Sequence, residues 1–355
     1  MGGIKESIEA EAHGLGCDQA MEARVASAIK SRFTLFWCFF IIPCYLHIAG
    51  WLLAAIWILA RSTVLMGLLR KMGLRMRGKQ DIFKHFKVEY ITHCEAMTMG
   101  IAQGILLWLL IVTKNDYNLI GDSNRFINLT RNNKAVYIVY TTWLILLYFV
   151  EWKQAVREYD FQRTKNCMPA MYHILAVGGR HNVAKQILRQ LWCDQSMEPN
   201  LRAAARKAAV CQMTSGVSKG MSINLPVERF NLFLNQASVG AQDISHIRTV
   251  ATTFNATRPV EHMIDEWVGV SKGEYAVWYG NIDKNAIAVC EILCEELGRA
   301  SLAIVLPRDD NPFKTGNHND DCAYDRINTG RLDWDQKIRE FIDEHEPLFQ
   351  PRRCG

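Results

Sequence analysis

Long uncharged stretches are concentrated in the first 152 residues of the chain, and the remainder is more polar. The longest of them, residues 33–60, has 28 residues without a charge between Arg32 and Arg61. A membrane-spanning helix needs about 20 predominantly apolar residues, so this stretch is long enough for one crossing and too short for two. Pro43 lies inside it and is expected to kink the helix.

Two shorter uncharged stretches follow, at residues 96–113 and 135–150. Each is close to the lower length limit for a membrane-spanning helix, and Trp152 extends the second. Together with the first stretch they predict a three-helix transmembrane domain over residues 33–152, preceded by a polar segment at residues 1–32.

Small residues recur every four positions in the second of these helices. They are Ala96, Gly100 and Gly104. Such spacing makes a flat helix face on which a neighbouring backbone can pack closely. We therefore expect a helix-packing face here, and the sequence leaves open whether its partner belongs to this chain or to another subunit.

Positive charge indicates an orientation for the three helices. Residues 61–95 carry eight Lys or Arg, whereas residues 114–134 carry four. Because basic loops stay in the cytoplasm, the loop 61–95 is predicted to be cytosolic, with the N-terminus outside and the C-terminus cytosolic. The predicted location is a multi-pass position in the endoplasmic reticulum or plasma membrane. The outward loop contains the sequon Asn128-Leu129-Thr130, so Asn128 is a candidate glycosylation site.

The first seven residues favour a different orientation. Their sequence, MGGIKES, resembles a myristoylation signal with its serine one position late. Use of that signal requires a cytosolic N-terminus, and therefore an even number of spans or the opposite orientation.

The basic loop also has the pattern of a surface helix. Apolar residues between Arg61 and Lys79 recur at helical spacing, with bases on the opposite side. This is typical of a helix that lies among lipid headgroups, and an ordinary cytosolic extension of the first span is the alternative. The expected lipid contacts are Arg70, Lys71, Arg75, Arg77 and Lys79. A net charge of +5 gives little support to nucleic-acid binding.

Residues 153–355 are predicted to form a cytosolic α/β or α+β domain. Its clearest unit begins with a strand at 275–279 and continues, after a turn, into a helix that Asp283 caps and Gly298 ends. A second apolar strand at 301–306 completes a βαβ unit. The glycine pattern of a dinucleotide site is missing, so nucleotide binding is not expected.

Five aspartates near the end of the chain are weak candidates for Ca²⁺ ligands, because Ca²⁺ prefers carboxylate oxygens. They are Asp309, Asp310, Asp320, Asp321 and Asp325. Their spacing does not match an EF-hand loop.

The string Asn311-Pro312-Phe313, followed by acids, resembles the acidic loop of bestrophin channels over about fifteen residues. In those proteins the loop directly follows a membrane helix. This sequence has no apolar stretch of that length just before the string.

Signatures of catalysis and of metal binding are scarce in the sequence. No CxxC and no HExxH occurs, and Cys290 and Cys294, one helical turn apart, have no further ligands nearby. We therefore expect neither a cofactor nor a resident metal, and the sequence leans against an enzyme.

The sequence favours a non-enzymatic integral membrane protein. In this hypothesis three helices anchor a cytosolic interaction domain that acts as a scaffold, or as an assembly or signalling component, through self-association. Membrane lipids, further copies of the chain and an unknown cytosolic protein are the expected partners, without nucleic acid. The layout resembles the three-span membrane and accessory proteins of coronaviruses, which also carry a cytosolic domain.

An oligomeric ion channel is the alternative, with its pore lined by the second membrane helix. The candidate pore-lining or polar residues of that helix are Glu95, Thr98 and Gln103. Ionisable residues at a membrane boundary are often functional, although Glu95 can also lie among cytosolic headgroups without a function of this kind.

Overall fold

The structure is a computed structural model of the chain. It describes residues 13–17, 39–73, 88–113, 121–196, 209–212, 220–222, 281–299, 310–315 and 322–331, and the short pieces 24, 31, 335–336 and 339–340. Within these residues the chain is mostly helical.

The first apolar stretch divides into a strand and a helix. Strand β2, Phe39–Pro43, pairs in parallel with β1, His13–Cys17, and the first helix begins at Tyr45. The predicted kink at Pro43 is therefore not found, because this proline ends the strand before the helix begins. A residue without an N–H to donate is tolerated at such a place.

The first helix changes its winding part of the way along. Helix α1, Tyr45–Ala60, continues through a π-helical turn, Arg61–Leu65, into α2, Met66–Lys71. Most α1 side chains are buried on every side, as in a helix at the centre of a protein. An exception is Ile58, which is 46% exposed.

Two further long helices complete the apolar core. Helix α3 covers Val88–Thr113, and α5 covers Lys134–Arg157 after the short helix α4, Ser123–Thr130. The Asn133 side chain caps α5 by accepting a hydrogen bond from the Val136 amide.

Three helices are long and apolar enough to cross a membrane. They are Tyr45–Lys71, Cys94–Thr113 and Lys134–Arg157. The prediction of three membrane helices is confirmed at this level of length and composition.

A helical hairpin from the polar half of the chain packs on α1. It consists of α6, Phe161–Val177, and α7, His181–Ser196. Next to the end of α6, Gly178 lies so close to α1 that an added Cβ would be 2.6 Å from the Ala55 Cβ. The hairpin therefore covers part of an apolar helix that an isolated membrane domain would leave to lipid.

Helix α8, Ile282–Leu297, is the helix of the predicted βαβ unit. The Asn281 side chain, rather than Asp283, caps it by accepting a hydrogen bond from the Lys284 amide at 2.9 Å. Gly298 ends it with a φ of 91°, a conformation that favours glycine.

The predicted α/β domain is not supported. The strands expected at 275–279 and 301–306 lie outside the described residues, and α8 packs on α3 where a βαβ unit needs a sheet. The strands found in the described residues are short: β1 with β2, and β3, Val210–Gln212, antiparallel to β4, Gly220–Ser222. The amphipathic pattern of α8 records that one face is buried, but not against which element.

Helices α1 and α3 run in the same direction. The Trp57 indole of α1 donates a hydrogen bond at 3.4 Å to the Thr98 hydroxyl, in the first half of α3. Further along, Lys71 at the end of α2 pairs with Glu296 at the end of α8, which also contacts the end of α3 through Trp108. Both helices therefore begin at the same end of the bundle and run toward the opposite end.

Helix α5 runs in the opposite direction. The Glu95 carboxylate of α3 pairs with Lys153, near the end of α5, at 2.6 Å, and Tyr45 at the start of α1 packs edge-on against Trp152. The end of α2 and the start of α3 thus lie at opposite ends of the bundle. The predicted orientation requires α1 and α3 to run in opposite directions, so that the loop 61–95 begins and ends on the same side of the membrane. Because the two helices run in the same direction, this orientation is not supported.

We expect Ile58→Lys to reduce the fraction of the chain that resists extraction from membranes by alkaline carbonate. Ile58 is the middle residue of Tyr45–Lys71 and is exposed, so a lysine there costs about 2.5–3.5 kcal/mol at the centre of a bilayer. Ile287→Lys is the matched control, because Ile287 is exposed on a face of α8 that is otherwise charged. Release of the unsubstituted chain by carbonate would contradict membrane insertion.

Candidate functional site

Two glycines of α3 form its contact with α8. A Cβ added to Gly100 would lie 2.6 Å from the Asn285 Cβ, and one added to Gly104 would lie 2.6 Å from the Ala286 carbonyl oxygen and from the Val289 Cβ. Real Cβ atoms do not approach other atoms so closely, and only glycine permits this contact. The structure thus places a helix of the same chain against both glycines.

A polar side chain is enclosed in this contact. Asn285 is fully buried, and neither of its amide atoms has a hydrogen-bond partner in the described part of the chain. An unpartnered buried polar group costs about 1–3 kcal/mol, so the close packing around Gly100 has to offset that cost.

A different face of α3 is exposed, and we call it the exposed stripe. It carries Gln103, Leu107 and Ile111, of which the two apolar residues are 41% and 43% exposed. Residues four apart differ by about 40° around a helix, so the three lie in one line. Ala96, the first residue of the predicted packing face, is half-buried and lies about 20° from Gln103 around the helix.

Gln103 lies at the centre of the second candidate membrane segment. It is the tenth of the 20 residues of Cys94–Thr113, about 14 Å along the axis from the first residue and about 15 Å from the last. Hydrocarbon does not solvate an amide group that is exposed at this depth. If this segment crosses a bilayer, the Gln103 side chain therefore needs water or a polar group of another molecule.

The outer face of α8 is charged. Its exposed residues include Asp283, Lys284, Glu291 and Glu295. They lie on the side of α8 opposite to Asn285, Ala286 and Val289, which pack on Gly100 and Gly104 of α3. We call this charged outer face of α8 the polar flank.

Glu95 and Thr98, the other two candidate polar residues of α3, face the interior of the bundle. The Glu95 side chain is 13% exposed and pairs with Lys153, and the buried Thr98 hydroxyl accepts the hydrogen bond of Trp57. The structure thus separates both from Gln103. Sequence reasoning missed Lys153 as the partner of Glu95, although its place directly after an apolar stretch was a signal.

Two of the five expected lipid contacts lie in the described residues. Arg70 and Lys71 are exposed in the last turn of α2, and Lys71 pairs with Glu296 of α8. The other three, Arg75, Arg77 and Lys79, lie outside the described residues.

Asn128, the candidate glycosylation site, is exposed on α4. The threonine of its sequon, Thr130, is buried and donates its hydroxyl to the Phe126 carbonyl at 3.0 Å. The Asn128 amide is thus accessible, whereas the Thr130 hydroxyl is buried and hydrogen-bonded within the same helix.

The five aspartates are only partly within the described residues. Asp310 is exposed, and Asp325 accepts a hydrogen bond from the Tyr137 hydroxyl at 2.5 Å. The other three, Asp309, Asp320 and Asp321, lie outside. In the part of the chain that the structure describes, no group of three or more His, Cys, Asp or Glu side chains could hold a metal ion.

Cys290, one of the two candidate cysteines of α8, is a poor nucleophile. Burial raises the pKa of the Cys290 thiol to about 11, and the neighbouring Cys294 adds to this rise. A thiol with such a pKa stays protonated near neutral pH, whereas the thiolate is the reactive form.

The sequence Gly-Val-Ser-Lys-Gly occurs twice, at residues 216–220 and 269–273, and has the GxSxG spacing of a hydrolase elbow. In such an elbow a strand precedes the serine and a helix follows it. In the first copy, strand β4 begins at the last glycine, Gly220, and so follows the serine. That order does not fit an elbow, and the second copy lies outside the described residues.

The chain matches no family model, no curated protein and no solved structure. The resemblance to bestrophin channels therefore remains that of one short motif.

We expect Gly104→Leu to lower the free energy of unfolding by about 1–3 kcal/mol, because the new side chain has no room against α8. Thermal unfolding in detergent, followed by circular dichroism, measures the change. Gly121→Leu is the control, since nothing lies within 4 Å of an added Cβ there, and it should change stability by less than about 0.5 kcal/mol. Equal stability of the two variants would contradict the contact.

Proposed function

We propose that this protein forms an oligomeric ion channel in a membrane, with α3 lining the pore. The observation that carries the proposal is the exposed amide of Gln103 at the centre of the second candidate membrane helix. The exposed stripe and the polar flank support it.

An amide at this position needs a polar environment. Its transfer from water into a solvent that cannot form hydrogen bonds costs about 4–8 kcal/mol. A lipid-facing Gln103 would incur a penalty of this kind, whereas a Gln103 that faces a water-filled pore keeps its hydrogen bonds. Polar side chains in membrane helices accordingly tend to face cavities or other polar groups.

The charges of α8 lead to the same expectation. Asp283, Glu291 and Glu295 are exposed on a helix that packs along α3. Ionised side chains at membrane depth are tolerated where they pair or face water. If α3 crosses the bilayer, α8 lies at membrane depth with it, and the polar flank then needs water on the outer side of α8.

The apolar part of the stripe adds a feature of many pores. Leu107 and Ile111 follow Gln103 by about one and two turns on the same line of the helix. Apolar constrictions close channels by excluding water, and polar positions next to them hold hydrated ions. The stripe offers both kinds of position in sequence.

A pore requires several copies of the chain. One stripe on one helix cannot enclose a pore, so copies must surround a common axis, as in closed symmetric oligomers. The glycine face of α3 is occupied by α8 and is not free for this association. We propose that the exposed stripe is the face that each copy turns toward the common axis.

The scaffold hypothesis has less support. It relies on a cytosolic domain that is separate from the membrane helices. In the described part of the chain, α8 and the α6–α7 hairpin pack on apolar helices instead. A scaffold is the conclusion that remains if the oligomer forms and conducts no ions.

We expect Gln103→Leu to lower ion flux through the purified oligomer in liposomes by about 2–10-fold. This range corresponds to the loss of one hydrogen bond, about 0.5–1.5 kcal/mol, from the lining of the pore. Gln162→Leu makes the same change at an exposed residue outside the candidate membrane helices and should leave the flux unchanged.

The mass of each variant's oligomer is measured in parallel, so that loss of assembly is not mistaken for loss of conduction. Unchanged flux in Gln103→Leu contradicts a pore lined by α3. An unsubstituted oligomer that conducts no ions contradicts the channel itself and leaves the scaffold.

A further inference from the structure

The segment 311–315 binds the π-helical turn of the first helix, and we call this segment the clasp. The Asn311 side-chain amide donates a hydrogen bond to the Thr63 carbonyl at 2.8 Å, and the Thr315 backbone amide donates to the Ser62 carbonyl at 2.8 Å. The Asn311 side-chain oxygen also accepts the Phe313 backbone amide at 3.1 Å. One asparagine thus shapes the clasp and attaches it to the turn.

Other groups hold the same part of the helix. Arg326, in a helix at 323–331, donates a hydrogen bond to the Leu59 carbonyl, just before the turn. Inside the turn, the Thr63 hydroxyl donates to the Ala60 carbonyl at 3.2 Å. Carbonyl groups at and before the π turn are therefore bonded by side chains and by the clasp.

The π turn contains one residue more than the α-helical turn it replaces. The Met66 amide bonds to the Arg61 carbonyl, five residues back, where an α-helix bonds four residues back. Turns of this kind are rare and are frequent at functional sites. The turn becomes α-helical if its extra residue moves into the helix that follows.

Only glycine fits beneath the clasp. Phe313 is fully buried, and a Cβ added to Gly67 would lie 2.2 Å from the Phe313 carbonyl oxygen. If the turn re-winds as α-helix, each residue after it takes the place that the next residue occupies now. The helix after the turn thereby rotates by about 100°. Met66 would then take the place of Gly67, and its side chain would collide with the clasp.

We propose that the clasp is a register lock for the first helix. While it is engaged, the helix keeps its π turn; once it is released, the turn re-winds and α2 rotates. The two states exclude each other because Met66 and Phe313 cannot occupy the same place. The rotation takes Lys71 away from Glu296 and brings Arg70 to it, so the state of the clasp is passed to α8.

Any effect of the clasp on ion flux rests on the proposed function, because it would act through α8 on α3. The register lock itself does not rest on that function. Its test therefore measures the register of the helix and uses no conduction.

Chemical cross-linking measures the register. The two double variants are Lys71→Cys with Glu296→Cys, and Arg70→Cys with Glu296→Cys. A bifunctional maleimide that spans an ion pair joins the two thiols, and mass spectrometry identifies the linked peptides. Variants with only one of the two added cysteines measure how much cross-linking involves the eleven native cysteines of the chain.

In the chain with Gly67, the yield of cross-link between positions 71 and 296 should exceed the yield between positions 70 and 296 by at least about fivefold. This ratio corresponds to about 1 kcal/mol, the low end of the typical cost of overpacking. Gly67→Ala should reverse this ratio, because the added Cβ expels Phe313. Gly121→Ala is the matched control and keeps the original ratio, since its Cβ meets no neighbour.

Asn311→Ala provides a second test if Gly67→Ala does not fold. It removes two hydrogen bonds of the clasp and adds no atoms, so it should shift the ratio toward position 70 by a smaller factor. The register lock is overturned if folded Gly67→Ala, or Asn311→Ala when Gly67→Ala does not fold, keeps the original ratio. Loss of both products in a folded variant also overturns it, because α2 then leaves α8 without re-winding.

Discussion

The close contact of α8 with α3 decides which surface of α3 is free. Gly100 and Gly104 let the two backbones approach to a distance that no larger residue allows, so α8 covers one side of α3 along its middle. The face that remains exposed is the one that carries Gln103. The same contact brings Glu296, at the end of α8, to Lys71 at the end of the first helix. One helix thus connects the clasp region with the candidate pore lining.

One ion pair lies inside the bundle. Glu95 and Lys153 join α3 to α5 with side chains that are 13% and 19% exposed. Removal of one partner of such a pair leaves an uncompensated charge, which is why buried ions are seldom found alone. Gln103 and Asn285 differ from this pair, because one is exposed on an apolar helix and the other is buried without a partner. Gln103 lies on α3 and Asn285 lies against it, so this helix contacts both of these uncharged polar side chains.

Length and hydropathy were sufficient to locate the three apolar helices, because an uncharged apolar stretch of about 20 residues is characteristic of a membrane-spanning helix. They placed the start of the first helix too early, since the apolar run Phe39–Pro43 suits a strand as well as a helix. Gly100 and Gly104 indicated how closely a partner approaches, but not which partner it is. The helix that ends at Gly298 was found, yet its amphipathic pattern could not reveal that it packs on α3. The turn Arg61–Leu65 gave no signal in the sequence, and Asn311, which bonds to it, lies 248 positions from Thr63 along the chain.

The common direction of α1 and α3 has a consequence for the way in which they can enter a membrane. Consecutive helices that are joined by a short connection commonly pack in opposite directions, as a helical hairpin. Helices α1 and α3 do not form such a hairpin, because Lys71 at the end of α2 and Glu95 near the start of α3 lie at opposite ends of the bundle. If both cross a bilayer, this pair therefore cannot insert as one hairpin.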